Sequence, residues 1–310
     1  MRTICITAAP DLAAEMTRFF DGKLETCLGE VFQNAHRANA TRLTVTYELE
    51  SRKLIVEDDG IGIADPAILL NAGRTAWDLE KIIEPAGCGF FALLDERLFE
   101  SVTVSSMDWQ FLVTPEDRAR LREIHCIDAP MRSSTCIELR LVRQWTLDEV
   151  KRAVESARAY YPLALSLNGM NLPARTLAGV IHITLPNIGH VYWSPENGWK
   201  HPENIETIWA CKSLGYHNVD LALEAAAKAA EHPEIARVLL TGKLRWLVNP
   251  ACGVRPVLPQ RDRTADSEAL YRAAIAIMTA LIAQVVRVGT HSLKTWPDQL
   301  AEGFVPERPG

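Results

Sequence analysis

Apolar residues recur at helical spacing over 11–21 and again over 23–40, where Leu24, Leu28, Val31, Phe32 and Ala35 share one face. The period then changes to two. RLTVTYEL (42–49) and KLIVEDD (53–59) alternate as strands joined by a polar turn at Glu50–Arg52. ADPAILLNAG (64–73) opens another helix, with Asp65 placed to cap it and Pro66 in its first turn. In EPAGCGFFALLDERL (84–98) a glycine-rich turn runs into a helix, and SVTVSSM, WQFLVTP and TCIELRLV read as three further strands. Helices followed by alternating strands predict an α+β fold, a two-layer α/β sandwich with helices on one face of a mixed sheet.

A domain boundary is expected near 143, giving domains at 1–143 and 144–290 and a loose tail at 291–310. WTLDEVKRAVESARAYYP (145–162) reads as a connecting helix stopped before Pro162. Short strands (LALSLNG, GVIHITLP, GHVYWS) follow, then a polar stretch over 195–218 and an alanine-rich helix at 219–231. Strands at 235–249 and a long helix at 266–288 complete the second, smaller α/β domain. AAIAIMTALIA (273–283) is too short to span a bilayer and reads as a buried helix, so no membrane association is expected.

Composition narrows the class. Over 310 residues, 48% are hydrophobic and 23% charged, the balance of a globular protein. The net charge of −6 argues against a surface that coats nucleic acid. Seven scattered cysteines without a C-x-x-C pair read as reduced thiols, most of them small buried hydrophobes, in a cytoplasmic protein. His190, Tyr192, Trp193, Trp199 and Trp209 form an aromatic-rich region that suits core packing, or a partner's surface.

Chemistry concentrates in the first 140 residues. Glu30 and Asn34 stand four apart on one helical face, where a carboxylate can act as base toward water and an amide oxygen suits Mg²⁺. In IVEDDGIGIADP (55–66), Asp58-Asp59-Gly60-Ile61-Gly62 ends a strand. An ionised carboxylate there accepts hydrogen bonds only, so it reads an amine such as that of adenine. The two glycines let the backbone pass close beneath a flat ring. Gly87-Cys88-Gly89-Phe90 opens a helix, where free N–H groups favour phosphate. Thr135 brings a hydroxyl to the entry of a strand. Each piece taken singly has an ordinary structural reading: a solvated helix face, an acidic turn, a structural turn, a β-former.

Taken in this order, the pieces resemble the GHKL ATPase superfamily, named for gyrase, the ninety-kilodalton heat-shock chaperone, histidine kinases and MutL. The pattern is nearest the chaperone and MutL branches, and it extends over about 15–140. The segment Leu70-Asn71-Ala72-Gly73 also looks like the chaperone's stretch after D-x-G-x-G. The resemblance implies a Bergerat-type ATP-binding fold followed by a transducer-like domain of the ribosomal protein S5 domain 2 type. It implies that Glu30 polarises the attacking water, Asn34 holds Mg²⁺ and Asp58 binds the adenine amine. Gly60, Gly62, Asn71 and Gly73 would approach the nucleotide, and Gly87, Gly89 and Phe90 would form the phosphate turn. Thr135 would join the adenine side through a water.

In the second domain, Ala159 to Gly169 is similar to the entry of the transducer, and RPVLPQRDR (255–263) resembles the chaperone's catalytic loop. There Gln260 would orient phosphate or water, and Arg261 or Arg263 would neutralise the transferred phosphoryl group. Some positions depart from the pattern: Glu84 stands where a glycine is usual, and the segment from Gly73 to Gly87 is short for a mobile lid. The resemblance therefore implies a Mg-dependent ATPase whose domains close on ATP, with a homodimer and an unnamed protein client as partners. The alternatives are a nucleotide-binding regulator with little turnover, or a DNA clamp, which the acidic balance does not favour. Asp59 is expected to be a variable neighbour of Asp58.

Overall fold

The computed structural model describes residues 2–4, 20–70, 89–120, 124–175, 177, 179, 181–195, 204–209, 211–229, 231, 235, 239, 242–254 and 267–288. They fall into two units, the first ending at Arg175 and the second beginning at Thr176. In the first, strands β1 (Arg2–Ile4), β2 (Arg42–Glu48), β3 (Lys53–Asp58), β4 (Phe99–Val113), β5 (Ile124–Leu141), β6 (Ala164–Leu167) and β7 (Met170–Leu172) make one mixed sheet. Its order is β1-β5-β3-β2-β6-β7, with β4 paired along β5. The helices are α1 (Leu24–Arg37), α2 (Ala67–Leu70), α3 (Pro115–Arg120) and α4 (Leu147–Arg158), with a 3₁₀ turn at Gly89–Leu94.

Period-two burial sets the sheet's inner face. Leu43, Val45 and Tyr47 of β2 are buried, as are Leu54 and Val56 of β3. Helix α1 buries Leu24, Cys27, Leu28, Val31, Phe32 and Ala35, and packs against α4 and the 3₁₀ turn. The expected two-layer α/β arrangement is therefore present.

The expected strands SVTVSSM and WQFLVTP are a single strand. Val102, Val104 and Ser106 are buried on even numbers, whereas Trp109, Phe111 and Val113 are buried on odd ones. The parity changes because register slips on both sides of Met107, which sits at φ 51. A bulge consumes one extra residue without ending the pairing, so a periodicity break imitates a strand end.

The compact unit also reaches past the expected boundary at 143. Strand β6 pairs parallel with β2, and the Asn168–Gly169 turn between β6 and β7 lies beside Tyr47. Asn168 Oδ1 accepts from Tyr47 N–H (2.7 Å), and its Nδ2 donates to Tyr47 O (3.1 Å). Both turn residues have positive φ, 48 and 78, as a two-residue hairpin of this hand requires. Helix α4 starts on a reciprocal Thr146–Glu149 capping box. Its buried Arg158 donates to the carbonyls of Leu163 and Leu172, tying the helix to the β6–β7 hairpin. These long-range hydrogen bonds leave no mark on local composition.

The second unit has a five-stranded sheet: β8 (Ile181–Leu185), β9 (Gly189–Pro195), β10 (Asn204–Trp209), β11 (Lys212–Asn218) and β12 (Gly242–Val248). Its order is β11-β10-β12-β9-β8, with β10 and β12 parallel. Helices α5 (Asp220–Ala229) and α6 (Ser267–Val288) share one core with it, to which Val219, Ile235, Leu239 and Val254 also contribute. Ala273, Ile277, Met278, Leu281 and Ile282 of α6 are buried in it, as the apolar run predicted. Trp193 and Trp209 are core residues too, while Tyr192 lies on the other face, stacked on His182. Trp199 lies outside the described residues.

Two sequence readings here change. The polar stretch 195–218 contains both β10 and β11. Buried Glu206 in the middle of β10 hid that strand; Lys243 and Arg245 of β12 lie 3.9 and 3.7 Å from its carboxylate. Ile235 and Leu239, expected in a strand, are helical, and their spacing of four places both on one buried face.

Candidate functional site

The D-x-G-x-G turn begins where β3 ends. Asp58 shares the parity of buried Leu54 and Val56, so its side chain lies on the sheet's inner face at the strand end. Asp58 Oδ1 accepts from Gly60 N–H (2.8 Å) and Thr135 N–H (3.4 Å). Among the described residues its Oδ2 takes no hydrogen bond. Burial pushes the Asp58 carboxyl above its ordinary value, against those two N–H bonds, and the neighbouring charge of Asp59 adds to the rise.

Asp59 is more than the variable neighbour expected. Its Oδ1 accepts from the N–H groups of Thr41 (2.7 Å) and Arg42 (2.8 Å), and its Oδ2 from the Thr41 hydroxyl (2.7 Å). It therefore pins the start of β2 beside the end of β3. Slight burial opposes ionisation, but the bonds from Arg42 and Thr41 outweigh it and hold this carboxyl below the ordinary range.

The two glycines fit tightly. A Cβ on Gly60 would lie 2.8 Å from Ala38 O and 2.9 Å from Ala38 Cβ, so this backbone lies against the C-terminus of α1. Ile61 N–H donates to the same Ala38 carbonyl (3.0 Å), and Ala38 N–H to Asn34 O (2.9 Å). The turn is thus joined to the helix that carries Glu30 and Asn34. Gly62 has φ 72, and a Cβ there would come 2.9 Å from Ser106 Oγ.

Ser106, which the sequence reading passed over, links the remaining pieces. Its buried hydroxyl lies 2.8 Å from Ile63 N, 2.9 Å from Ser134 O and 3.4 Å from Thr135 Oγ1. Trp109 Nε1 donates to Ile63 O (2.8 Å) and its ring stacks on Phe111, which meets Phe90 edge-on. The available signal was alternation, because Ser106 continues the buried parity of Val102 and Val104 up to the bulge at Met107.

Glu30 and the phosphate turn also meet. Glu30 is buried, and a Cβ on Gly89 would lie 2.6 Å from its Oε2. The turn opens a short 3₁₀ helix rather than the expected α-helix. It is held to α1 by the Cys27 thiol, which donates to Ala92 O (3.2 Å). Cys126 and Cys136 are likewise buried, as expected of small hydrophobes. We expect Gly89→Ala to fold normally but displace the mobile end of Glu30, cutting any Glu30-dependent turnover about tenfold or more in a steady-state assay.

A series of contacts thus links Glu30, Asn34, Asp58, Gly60, Gly62, Gly89, Phe90 and Thr135. Asn71, Gly73, Gly87, Gln260, Arg261 and Arg263 lie outside the described residues. Among the described residues no three His, Cys, Asp or Glu side chains form a metal cluster. The donor set fits a hard cation only as a partner to a ligand's own oxygens, with the partly exposed Asn34 supplying an amide oxygen.

No sequence-family model matches the chain, and no curated protein sequence does. Solved structures do match. The ATPase region of topoisomerase II from Saccharomyces cerevisiae is similar with TM-score 0.54 at 10% identity, covering 83% of this chain and 85% of that one. The ATPase and transducer domains of DNA topoisomerase II from Balamuthia mandrillaris are similar with TM-score 0.55 at 12% identity, covering 90% and 86%. The chain therefore shares the fold of these topoisomerase II regions, in line with the GHKL-type fold that its motifs led us to expect.

Proposed function

We propose that the chain binds ATP with Mg²⁺ in the site built around Asp58 and hydrolyses it, using the cycle to close its two units and to dimerise. The observation that carries this reading is the state of Asp58: Oδ1 is held by two backbone N–H groups, and Oδ2 is left to accept. That is the donor-seeking geometry an adenine amine satisfies. Gly60 and Gly62 let the turn after Asp58 lie close against Ala38 and Ser106, and Asn34 would supply the protein's oxygen to Mg²⁺. The ion, when bound, would neutralise phosphate charge. Glu30, four residues before Asn34 and beside the Gly89 backbone, would take a proton from water. Gly87 would join Gly89 at the phosphates, and Asn71 and Gly73 would flank the nucleotide. Gln260 with Arg261 or Arg263 would act at the transferred phosphoryl group.

The neighbours by fold are ATPase regions of topoisomerase II, which supports nucleotide chemistry without choosing a client. Size-exclusion chromatography with Mg²⁺ and a non-hydrolysable ATP analogue tests the coupling. The nucleotide should convert a monomer to a dimer. A monomer under both conditions sinks the dimerisation claim, and no calorimetric binding of the analogue sinks the whole reading.

A further inference from the structure

We propose that Ser106 sets the hydrogen-bond polarity of Thr135, and that this makes the base-facing wall select a 6-amino purine over a 6-oxo purine. The inference rests on the nucleotide reading above and adds the residue that tunes base choice.

The argument is a count of protons. A serine hydroxyl has one proton and two lone pairs. Ile63 N, 2.8 Å from Ser106 Oγ, can only donate; Ser134 O, 2.9 Å away, can only accept. The single proton of Ser106 is therefore committed to Ser134, and one lone pair to Ile63. What remains for Thr135 Oγ1 at 3.4 Å is a lone pair, so that contact is attractive only when Thr135 donates. At this length it orients the hydroxyl more than it binds it. Thr135 then points its proton at Ser106 and keeps its own lone pairs for the site.

Beside it, Asp58 Oδ1 is held by the N–H of Thr135 itself and by that of Gly60, leaving Oδ2 as a second acceptor. Both polar groups of the wall accept. A 6-amino group in direct contact donates to them and satisfies them. A 6-oxo group sets acceptor against acceptor. Ser106 is fully buried, so solvent does not replace it. The left-handed Met107 next to it and the missing Cβ of Gly62 keep its hydroxyl in place.

The test compares Kd for ATP and ITP, which differ at C6, in wild type, Ser106→Ala, Thr135→Val and the double variant. A ratio measured on one preparation cancels any loss of folded protein. Wild type should prefer ATP by about a hundredfold or more, and Ser106→Ala should narrow the ratio about tenfold, since Thr135 is then free to turn and donate. In the Thr135→Val background, Ser106→Ala should leave the ratio unchanged, and Ser106→Thr, which keeps a hydroxyl, should retain the wild-type ratio. An unchanged ratio in Ser106→Ala, or equal narrowing with and without the Thr135 hydroxyl, overturns the proposal while leaving the nucleotide site intact. ATP binding that survives Asp58→Asn overturns the site reading and the proposal together.

Discussion

Asp58→Asn should weaken ATP binding by at least about a hundredfold without unfolding the protein. The asparagine Oδ1 can keep the bonds from Gly60 and Thr135. Its Nδ2, however, presents donors where the base amine needs an acceptor, so a charge-assisted bond is lost and a donor–donor contact replaces it. Stability should move the other way. The Asp58 carboxyl is raised by burial, so the folded state holds its proton more tightly than the unfolded chain does. Ionised Asp58 therefore costs stability above the raised folded value, and the cost vanishes below the ordinary carboxylate range. At neutral pH the Asn variant should melt no lower than wild type, a result that separates lost binding from lost fold. Asp59→Asn should do the reverse. Its Oδ1 can keep the Thr41 and Arg42 N–H bonds, but it loses the negative charge that strengthens them and the Oδ2 acceptor of the Thr41 hydroxyl, and so lowers the melting point, while ATP affinity changes only a few-fold. Calorimetric titration and thermal melts on both variants check the pair; equal loss of binding in both would mean that the base-reading acid is misassigned.

Glu30→Gln should lower kcat by roughly 10²–10⁴-fold and leave ATP affinity within a few-fold. The amide keeps the size of the side chain against Gly89 but cannot take a proton from water. Steady-state turnover and equilibrium binding measured together give the answer. Turnover that survives would place the base elsewhere, and no turnover even in wild type would make the chain a nucleotide-binding switch.

Much of the site was legible because its pieces depend on local patterns. Alternation placed Leu54, Val56 and Asp58 on one face, and helical spacing placed Glu30 beside Asn34. Those two periods are set by the chain's own geometry. Asp59, Ser106 and the Asn168 turn were not legible, since each works through partners distant in sequence. Asp59 reaches back to Thr41, Ser106 forward to Thr135, and Asn168 across to Tyr47. The bulge at Met107 disguised β4 as two strands, and the buried ion pairs of Glu206 disguised β10 as a loop. Periodicity in β4 fails just after Ser106, the residue we propose tunes the base-facing wall.

The most direct test of the account is a crystal structure with Mg²⁺ and a non-hydrolysable ATP analogue. It should show the base amine on Asp58 Oδ2, the phosphates against the Gly89 backbone beside Glu30, and Arg261 or Arg263 at the γ-phosphate. A nucleotide bound away from Asp58, or with its phosphates remote from Glu30, would contradict it.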